Sequence, residues 1–179
     1  LRFSGIERNN RVVARLGGGE TGGIALVHHL PDPLGGNQTG IIVDHFLQIG
    51  GHSLEYGWIA PTLKAAPPLV FLHEGLGSLS AWRGFPEKLA QATGSGALIY
   101  SRAGYGRSDA LSGPRGVDFF DVEAALLGEV LALRGIHRPI LIGHSDGATI
   151  ALLYAALKPD VVDALILEAA HVFVDEISV

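Results

Sequence analysis

A serine stands between two glycines at the point where an apolar run gives way to a helical pattern. In the segment "ILIGHSDGATIALLYAAL", residues 143–147 fit the pattern G-x-S-x-G. A strand that turns into a helix within so few residues forces the central serine into a strained backbone conformation, and the flanking glycines allow close backbone approach. The turn lifts the hydroxyl clear of the sheet, and the following helix N-terminus favours developing negative charge. The pattern therefore predicts that Ser145 is a nucleophile.

Such a serine needs partners, because its hydroxyl is weak unless a histidine takes the proton and an acid orients that histidine. The only histidine after Ser145 is His171. Glu168 closes the apolar run "LILE" and is a candidate acid, with Asp175 and Glu176 shortly behind it. His171 lies too close in sequence to Glu168 to be a good base. The alternative interpretation is a glycine-rich turn in which Ser145 only caps the helix that follows.

Apolar runs alternate with helical patterns through the second part of the chain. Two runs around Gly50-Gly51 predict a hairpin, and Pro86 marks the first turn of a helix. Short apolar runs separated by helices predict a parallel sheet that is covered on both faces, so the predicted fold class is α/β. The predicted strands are Phe46–Ile49, Leu54–Ile59, Leu69–His73, Ala97–Ser101, "PILIG" and "DALILEAA", and the predicted helices are "FPEKLAQAT", "VDFFDVEAALLGEVLALRG" and "ATIALLYAAL".

Three motifs, each after a predicted strand, together resemble those of the α/β-hydrolase fold. They are "HEGLGS" after "LVFL", "SRAGYGRSD" after "ALIY" and "GHSDG" after "ILI". The resemblance implies that Ser145 attacks an acyl carbonyl while the backbone N–H groups of Asp146 and Gly75 stabilise the oxyanion. It also implies that residues 73–77 form an oxyanion loop, which His73 shapes. His144 directly precedes the serine, so we expect it to point away from Ser145 into packing.

The resemblance extends over residues 44–179 and covers the N-terminal part of the family only. The family places its acid and then its histidine after the nucleophile, with the histidine beyond the last strand of the sheet. We therefore expect a partial α/β-hydrolase domain, truncated after the sixth strand and without an evident catalytic histidine. Residues 1–43, which contain "LGGGETGG" and "LPDPLGGNQTG", show little sustained periodicity and are expected to be an extension of uncertain structure.

Composition narrows the function classes. The 179 residues have a net charge of -5 and no Lys/Arg run, which argues against nucleic acid as the main partner. The absence of cysteine excludes disulfides and favours a cytoplasmic location, and no apolar run is long enough for a membrane span. We expect a small-molecule acyl substrate and no cofactor. Trp82 and Tyr105 either line an acyl pocket or pack as ordinary aromatics.

Three functions remain open on this sequence. The first is a Ser-dependent hydrolase of ester or related acyl bonds that works through an acyl-enzyme on Ser145. The second is a catalytically inactive fragment that retains the motifs without using them. The third is an acyltransferase on the same fold, in which an alcohol or thiol replaces water as the acceptor. Epoxide opening and halide displacement are disfavoured, since the family uses Asp rather than Ser for those reactions.

Overall fold

This computed structural model describes residues 11–12 and 42–172. The described residues form one sheet with helices on both faces. The strands are β1 (Arg11–Val12), β2 (Ile42–Ile49), β3 (His52–Ile59), β4 (Leu69–Leu72), β5 (Ala97–Tyr100), β6 (Ile140–His144) and β7 (Ala164–Glu168). The helices are α1 (Phe85–Thr93), α2 (Phe119–Leu133) and α3 (Asp146–Leu157), with a short 3₁₀ helix at Leu79–Trp82.

The strand order is β1-β7-β6-β4-β5-β3-β2. Strands β5, β4, β6 and β7 pair in parallel, whereas β2, β3 and β1 join antiparallel at the two edges. The prediction of a mostly parallel α/β sheet with six strands from the hairpin onward is therefore confirmed, although β2 begins at Ile42 rather than at the predicted Phe46. From residues 1–43, the structure describes only Arg11–Val12, which pair with Leu167 and Glu168 of β7; the remaining residues of the predicted extension lie outside the described part.

Local sequence explains the hairpin and the first helix. Gly50 and Gly51 connect β2 to β3 with φ values of 56° and 81°, the left-handed conformations that a tight hairpin turn requires and that glycine adopts at little cost. Helix α1 has Pro86 in its first turn and is followed at its C-terminal end by the capping residue Gly94, whose φ is 71°. Both predictions, the hairpin and the position of Pro86, are confirmed.

Alternation along the strands builds two core layers. Leu69 and Phe71 of β4 pack on the α1 side of the sheet, while Val70 and Leu72 face the layer formed by α2 and α3. One apolar face of α2 lies against this second layer, with Ala124, Leu127, Val130 and Leu131 buried and Phe120 partly buried. The parallel strands have apolar side chains on both faces, and helices cover both faces, as expected for a parallel sheet.

The parallel arrangement decides where functional residues meet. Because β4, β5, β6 and β7 run in the same direction, the loops after all four strands lie at one edge of the sheet. These loops contain Gly75, Arg102, Ser145 and His171. Within the described residues, no helix combines the length and apolar character that crossing a membrane would require.

Candidate active site

The turn between β6 and α3 holds Ser145 in a conformation that few residues other than glycine adopt. Its φ is 53° and its ψ is -116°, a strained conformation that persists only where the surroundings enforce it. The surroundings do so from both sides. The Ser145 N–H donates to the carbonyl of Glu168 at 2.8 Å, and the Ser145 carbonyl accepts from the N–H groups of Ala148 and Thr149 at 3.0 and 3.1 Å. The strained turn predicted from the sequence is present.

The two glycines of the motif are required by close contacts. A Cβ atom at Gly147 would lie 1.9 Å from the carbonyl oxygen of Leu72, at the end of the neighbouring strand β4. A Cβ atom at Gly143 would lie 2.5 Å from the backbone nitrogen of Ala148. Neither contact can be relieved by moving a side chain, because both involve backbone atoms. The elbow therefore packs so tightly onto β4 and α3 that only glycine fits at either position.

The hydroxyl of Ser145 is not used to cap helix α3. Within the described residues, no side-chain hydrogen bond from Ser145 reaches the first turn of that helix. The alternative interpretation, a serine whose side chain only caps the helix, is therefore wrong. Ser145 is half-buried and precedes the helix N-terminus, where partial positive charge and free N–H groups favour an anion.

The two residues predicted to supply oxyanion donors lie next to each other. Asp146 is the first residue of α3, and Gly75 lies in the loop after β4. A Cβ atom at Gly75 would come within 2.7 Å of Asp146 Oδ2, so the carboxylate occupies the space that a side chain at position 75 would need. The fold thus joins the oxyanion loop to the elbow, while the donor roles of the two N–H groups stay a prediction.

His73 is buried beneath the oxyanion loop, with an exposed fraction of 1%. Its Nδ1 donates to the carbonyl of Glu74 at 2.7 Å, and its Nε2 accepts from the backbone N–H of Arg102 at 3.1 Å. Burial, together with the Arg102 charge, lowers the pKa of His73 to about 3. Both nitrogens of the neutral ring are hydrogen-bonded within the fold, so neither can accept a proton from Ser145. These bonds support the predicted role of His73 in shaping the loop.

Arg102 is a site residue that the sequence did not single out beyond its place in the "SRAGYGRSD" motif. It is 1% exposed, and its guanidinium reaches the oxyanion loop and the elbow together. Nη2 donates to the carbonyl of Glu74 at 3.0 Å and lies 3.8 Å from Asp146 Oδ2. The available signal was a charged residue directly after the buried run "ALIYS", since arginine is rarely buried without partners.

His171 also comes close to the elbow. Its backbone N–H donates to Thr149 Oγ1 at 2.9 Å, and that hydroxyl donates to the His171 carbonyl at 3.1 Å. The ring is 60% exposed, and Nδ1 lies 3.9 Å from Asp146 Oδ1. The sequence offers Glu168 as the acid partner of His171, but the short spacing between them disfavours His171 as the catalytic base. The structure places the ring beside a different carboxylate, that of Asp146, which directly follows Ser145.

Glu168 lies at the carboxyl end of β7 and is in register with His144 of β6. Its carbonyl accepts the N–H of Ser145, which ties the strand end to the elbow. Paired residues of parallel strands project to the same face, so Glu168 shares the face of His144, the α1 side of the sheet. Its role as catalytic acid stays a prediction. Asp175 and Glu176, the later candidates, lie outside the described residues.

A small cavity of about 200 Å³ adjoins the oxyanion loop. Its lining consists of His73, Glu74, Ala81, Trp82 and His144. The sequence predicts that His144 is enclosed in packing, whereas in the structure His144 borders this cavity. Trp82 also lines the cavity, and its role in an acyl pocket stays a prediction.

The second aromatic residue, Tyr105, packs instead beneath the oxyanion loop. Its ring lies edge-on to the ring of His73, with centroids 4.9 Å apart. The guanidinium carbon of Arg102 lies 4.9 Å from the same ring. These contacts match the alternative of ordinary aromatic packing for Tyr105.

Comparison with known proteins matches this architecture. The sequence model of the alpha/beta hydrolase fold family matches residues 67–178. The sn-1-specific diacylglycerol lipase ABHD11 of Danio rerio is 33% identical over 99 residues, which are 55% of this chain and 30% of the relative.

Solved structures of the same fold superpose on most of the chain. An alpha/beta hydrolase fold protein from Burkholderia ambifaria superposes with a TM-score of 0.65 at 23% identity, covering 76% of this chain and 47% of that one. A predicted CIB-like hydrolase from Thermoplasma acidophilum gives 0.62 at 18% identity, covering 73% and 64%. The chain thus spans less than two thirds of each relative. The family match extends over more than half of the chain and contains both the oxyanion loop and the Ser145 elbow, so this chain belongs to the alpha/beta hydrolase fold family.

Proposed function

We propose that this chain is the nucleophile-bearing part of a Ser-dependent hydrolase that cleaves ester or related acyl bonds. The observation that carries the proposal is the backbone of Ser145, which is held at a φ of 53° with its hydroxyl free of the helix it precedes. Strain of this kind persists only where the surrounding structure enforces it, and it is concentrated at functional sites. A serine that had only a packing role would have no need of this conformation.

The proposed reaction begins with attack of Ser145 Oγ on the acyl carbonyl carbon. The carbonyl oxygen becomes an oxyanion that accepts hydrogen bonds from the N–H groups of Asp146 and Gly75. Collapse of this intermediate expels the alcohol, which leaves with the proton from the serine, and an acyl group remains on Ser145. Water then attacks the acyl-enzyme, releases the carboxylic acid and restores the hydroxyl.

The proposal assigns no proton acceptor among the described residues. His73 engages both ring nitrogens within the fold, so it has no basic nitrogen to offer. The ring of His171 is exposed, with Nδ1 3.9 Å from Asp146 Oδ1. Glu168 is the proposed acid, and its place at the end of β7, tied through its backbone to Ser145, supports that role.

The substrate is proposed to be a small-molecule acyl ester. The Danio rerio relative is named as a lipase that acts on diacylglycerol at its sn-1 position, which makes acylglycerol esters suitable first probes. The cavity of about 200 Å³ beside the oxyanion loop offers room for a short acyl group next to Trp82. We propose a cytoplasmic location and no nucleic-acid partner on the grounds of composition given above.

The test uses p-nitrophenyl butyrate, whose leaving group departs as a stable phenolate and needs no proton from the enzyme. We expect an acyl adduct on Ser145 in intact and peptide mass spectra, and p-nitrophenol release that falls by at least about a thousandfold in Ser145→Ala. The matched control is Ser112→Ala, which removes the hydroxyl of an exposed serine in the loop between β5 and α2.

The outcomes separate the three functions. Equal rates for the parent and Ser145→Ala would eliminate a nucleophilic Ser145 and leave the inactive fragment. If the adduct forms on Ser145 and glycerol, added as acceptor, takes the butyryl group in preference to water, the chain is an acyltransferase rather than a hydrolase. Release of butyrate in the presence of glycerol supports the hydrolase.

A further inference from the structure

We propose that Arg102 is a positioning residue, which holds the Glu74–Gly75 peptide so that the Gly75 N–H points at the oxyanion. The inference rests on the proposed function and adds a residue to it. In the proposed reaction Gly75 contributes only a backbone N–H, and no side chain of its own can aim that donor. The orientation of the peptide must therefore come from groups that bind its other end.

The other end of this peptide is the carbonyl of Glu74, and three donors converge on it. Arg102 Nη2 lies at 3.0 Å, His73 Nδ1 at 2.7 Å and the N–H of Gly77 at 3.2 Å. The C=O and N–H of a trans peptide point in opposite directions. Three donors that hold the carbonyl on one side of the peptide therefore direct the Gly75 N–H to the opposite side.

Arg102 differs from the other two donors because it carries a full positive charge. It is 1% exposed, so its field is little screened by water. A charge-assisted hydrogen bond to the carbonyl polarises the peptide, and hydrogen bonds in such a chain strengthen one another. The Gly75 N–H becomes a stronger donor as a result, which matters most when negative charge develops on the acyl oxygen.

The guanidinium is itself held in one orientation. Its central carbon lies 4.9 Å from the ring centroid of Tyr105 and 5.6 Å from that of Phe119. Arg102 Nη2 also lies 3.8 Å from Asp146 Oδ2, so one guanidinium contacts the residues on both sides of the predicted oxyanion hole. Among the described residues, Nη1 has no hydrogen-bond partner, which indicates that the bonds made through Nη2 and Nε set the geometry.

The test compares Arg102→Gln, which removes the charge, with Arg102→Lys, which keeps the charge but loses the planar fork. The control is Arg107→Gln in the same loop, whose guanidinium pairs with Glu55 at 2.7 Å. The probe is an alkyl fluorophosphonate. Ser145 Oγ bonds to its phosphorus, the P–F bond breaks, and fluoride and the serine proton leave, while the P=O oxygen takes the place of the oxyanion.

Two readouts are needed because a structural defect could slow labelling by itself. The first is the labelling rate constant of Ser145 from intact mass spectrometry. The second is the ¹⁵N chemical shift of the Gly75 amide, which reports polarisation of that peptide. We expect Arg102→Gln to label about 10- to 100-fold more slowly, with the Gly75 signal displaced. We expect Arg102→Lys to be intermediate and Arg107→Gln to stay within about twofold of the parent.

Parental labelling rates or an unchanged Gly75 shift in the Arg102 variants would overturn the inference. If Arg102→Gln does not fold, Arg102→Lys decides by the same two readouts. If neither folds, the absence of scalar coupling across the hydrogen bond from Arg102 Nη2 to the Glu74 carbonyl in the parent would overturn it. Labelling that survives Ser145→Ala would instead defeat the proposed function, so the two failures are distinguishable.

Discussion

Thr149 and His171 are joined by two hydrogen bonds. The N–H of His171 donates to Thr149 Oγ1 at 2.9 Å, and the hydroxyl donates to the His171 carbonyl at 3.1 Å. The Thr149 hydroxyl, in the first turn of α3, thus bonds to both the backbone N–H and the backbone C=O of a residue 22 positions later. The segment after β7 is thereby held against the helix that begins at the elbow, and this is why the ring of His171 lies beside Asp146.

Replacing this hydroxyl should release the segment. We expect Thr149→Val, which keeps the shape, to lower the free energy of unfolding by about 1–3 kcal/mol because the backbone groups of His171 lose their partner. Hydrogen exchange at the His171 amide should accelerate by more than tenfold. The control is Thr93→Val at the end of α1, whose hydroxyl donates to carbonyls of its own helix and accepts the Ser95 N–H, so its loss leaves the His171 contact intact. Unchanged exchange at His171 in Thr149→Val would contradict the assigned contact.

The tight elbow predicts a sharp difference between two glycines. A methyl group at Gly147 would lie 1.9 Å from the Leu72 carbonyl oxygen, whereas one at Gly113 would meet nothing within 4 Å. We expect Gly147→Ala to destabilise the protein by at least about 3 kcal/mol, at the upper end for overpacking, since backbone atoms on both sides must move. Gly113→Ala should change stability by less than about 1 kcal/mol. Thermal unfolding of the two variants checks this, and equal melting temperatures would refute the close contact.

Burial of His73 predicts a pH dependence of stability. Its pKa is lowered to about 3 by burial and by the neighbouring Arg102, against about 6.5 in the unfolded chain. Between these values the unfolded state binds the proton and the folded state does not. The stability is therefore fully present above pH 6.5 and is lost as the pH falls towards 3, with a slope that approaches about 1.4 kcal/mol per pH unit.

Urea unfolding at pH 7, 6 and 5 measures this slope, and comparison with a variant that lacks the imidazole separates it from the contribution of Glu123, whose pKa is raised by burial. We expect the slope to flatten in His73→Gln, which cannot take up a proton, although this variant is less stable at pH 7. Replacement of the exposed His137 by Gln should leave the slope as in the parent. If His73→Gln retains the parental slope, another group causes the acid sensitivity.

The amino-acid sequence determined the elements and the elbow because both depend on short-range patterns. Apolar runs separated by helical spacing predicted β4 to β7 and the helices between them, and Gly50-Gly51 predicted the hairpin. The Gly-x-Ser-x-Gly pattern predicted the turn at Ser145, because a tight turn is a property of consecutive residues. The contact of Gly147 with Leu72 and the hydrogen bond from Ser145 to Glu168, in contrast, come from neighbouring strands.

Only the tertiary structure decided which groups surround the serine. Arg102 and Glu74 are separated by 28 positions in the chain, and Thr149 and His171 by 22, so no periodic pattern links them. They meet because parallel strands end at one edge of the sheet and bring their following loops together there. The environment of His73 was equally hidden, since its lowered pKa comes from burial and a charge contributed by a different loop. Sequence spacing reports which face of an element is apolar, whereas loop contacts depend on how the elements pack.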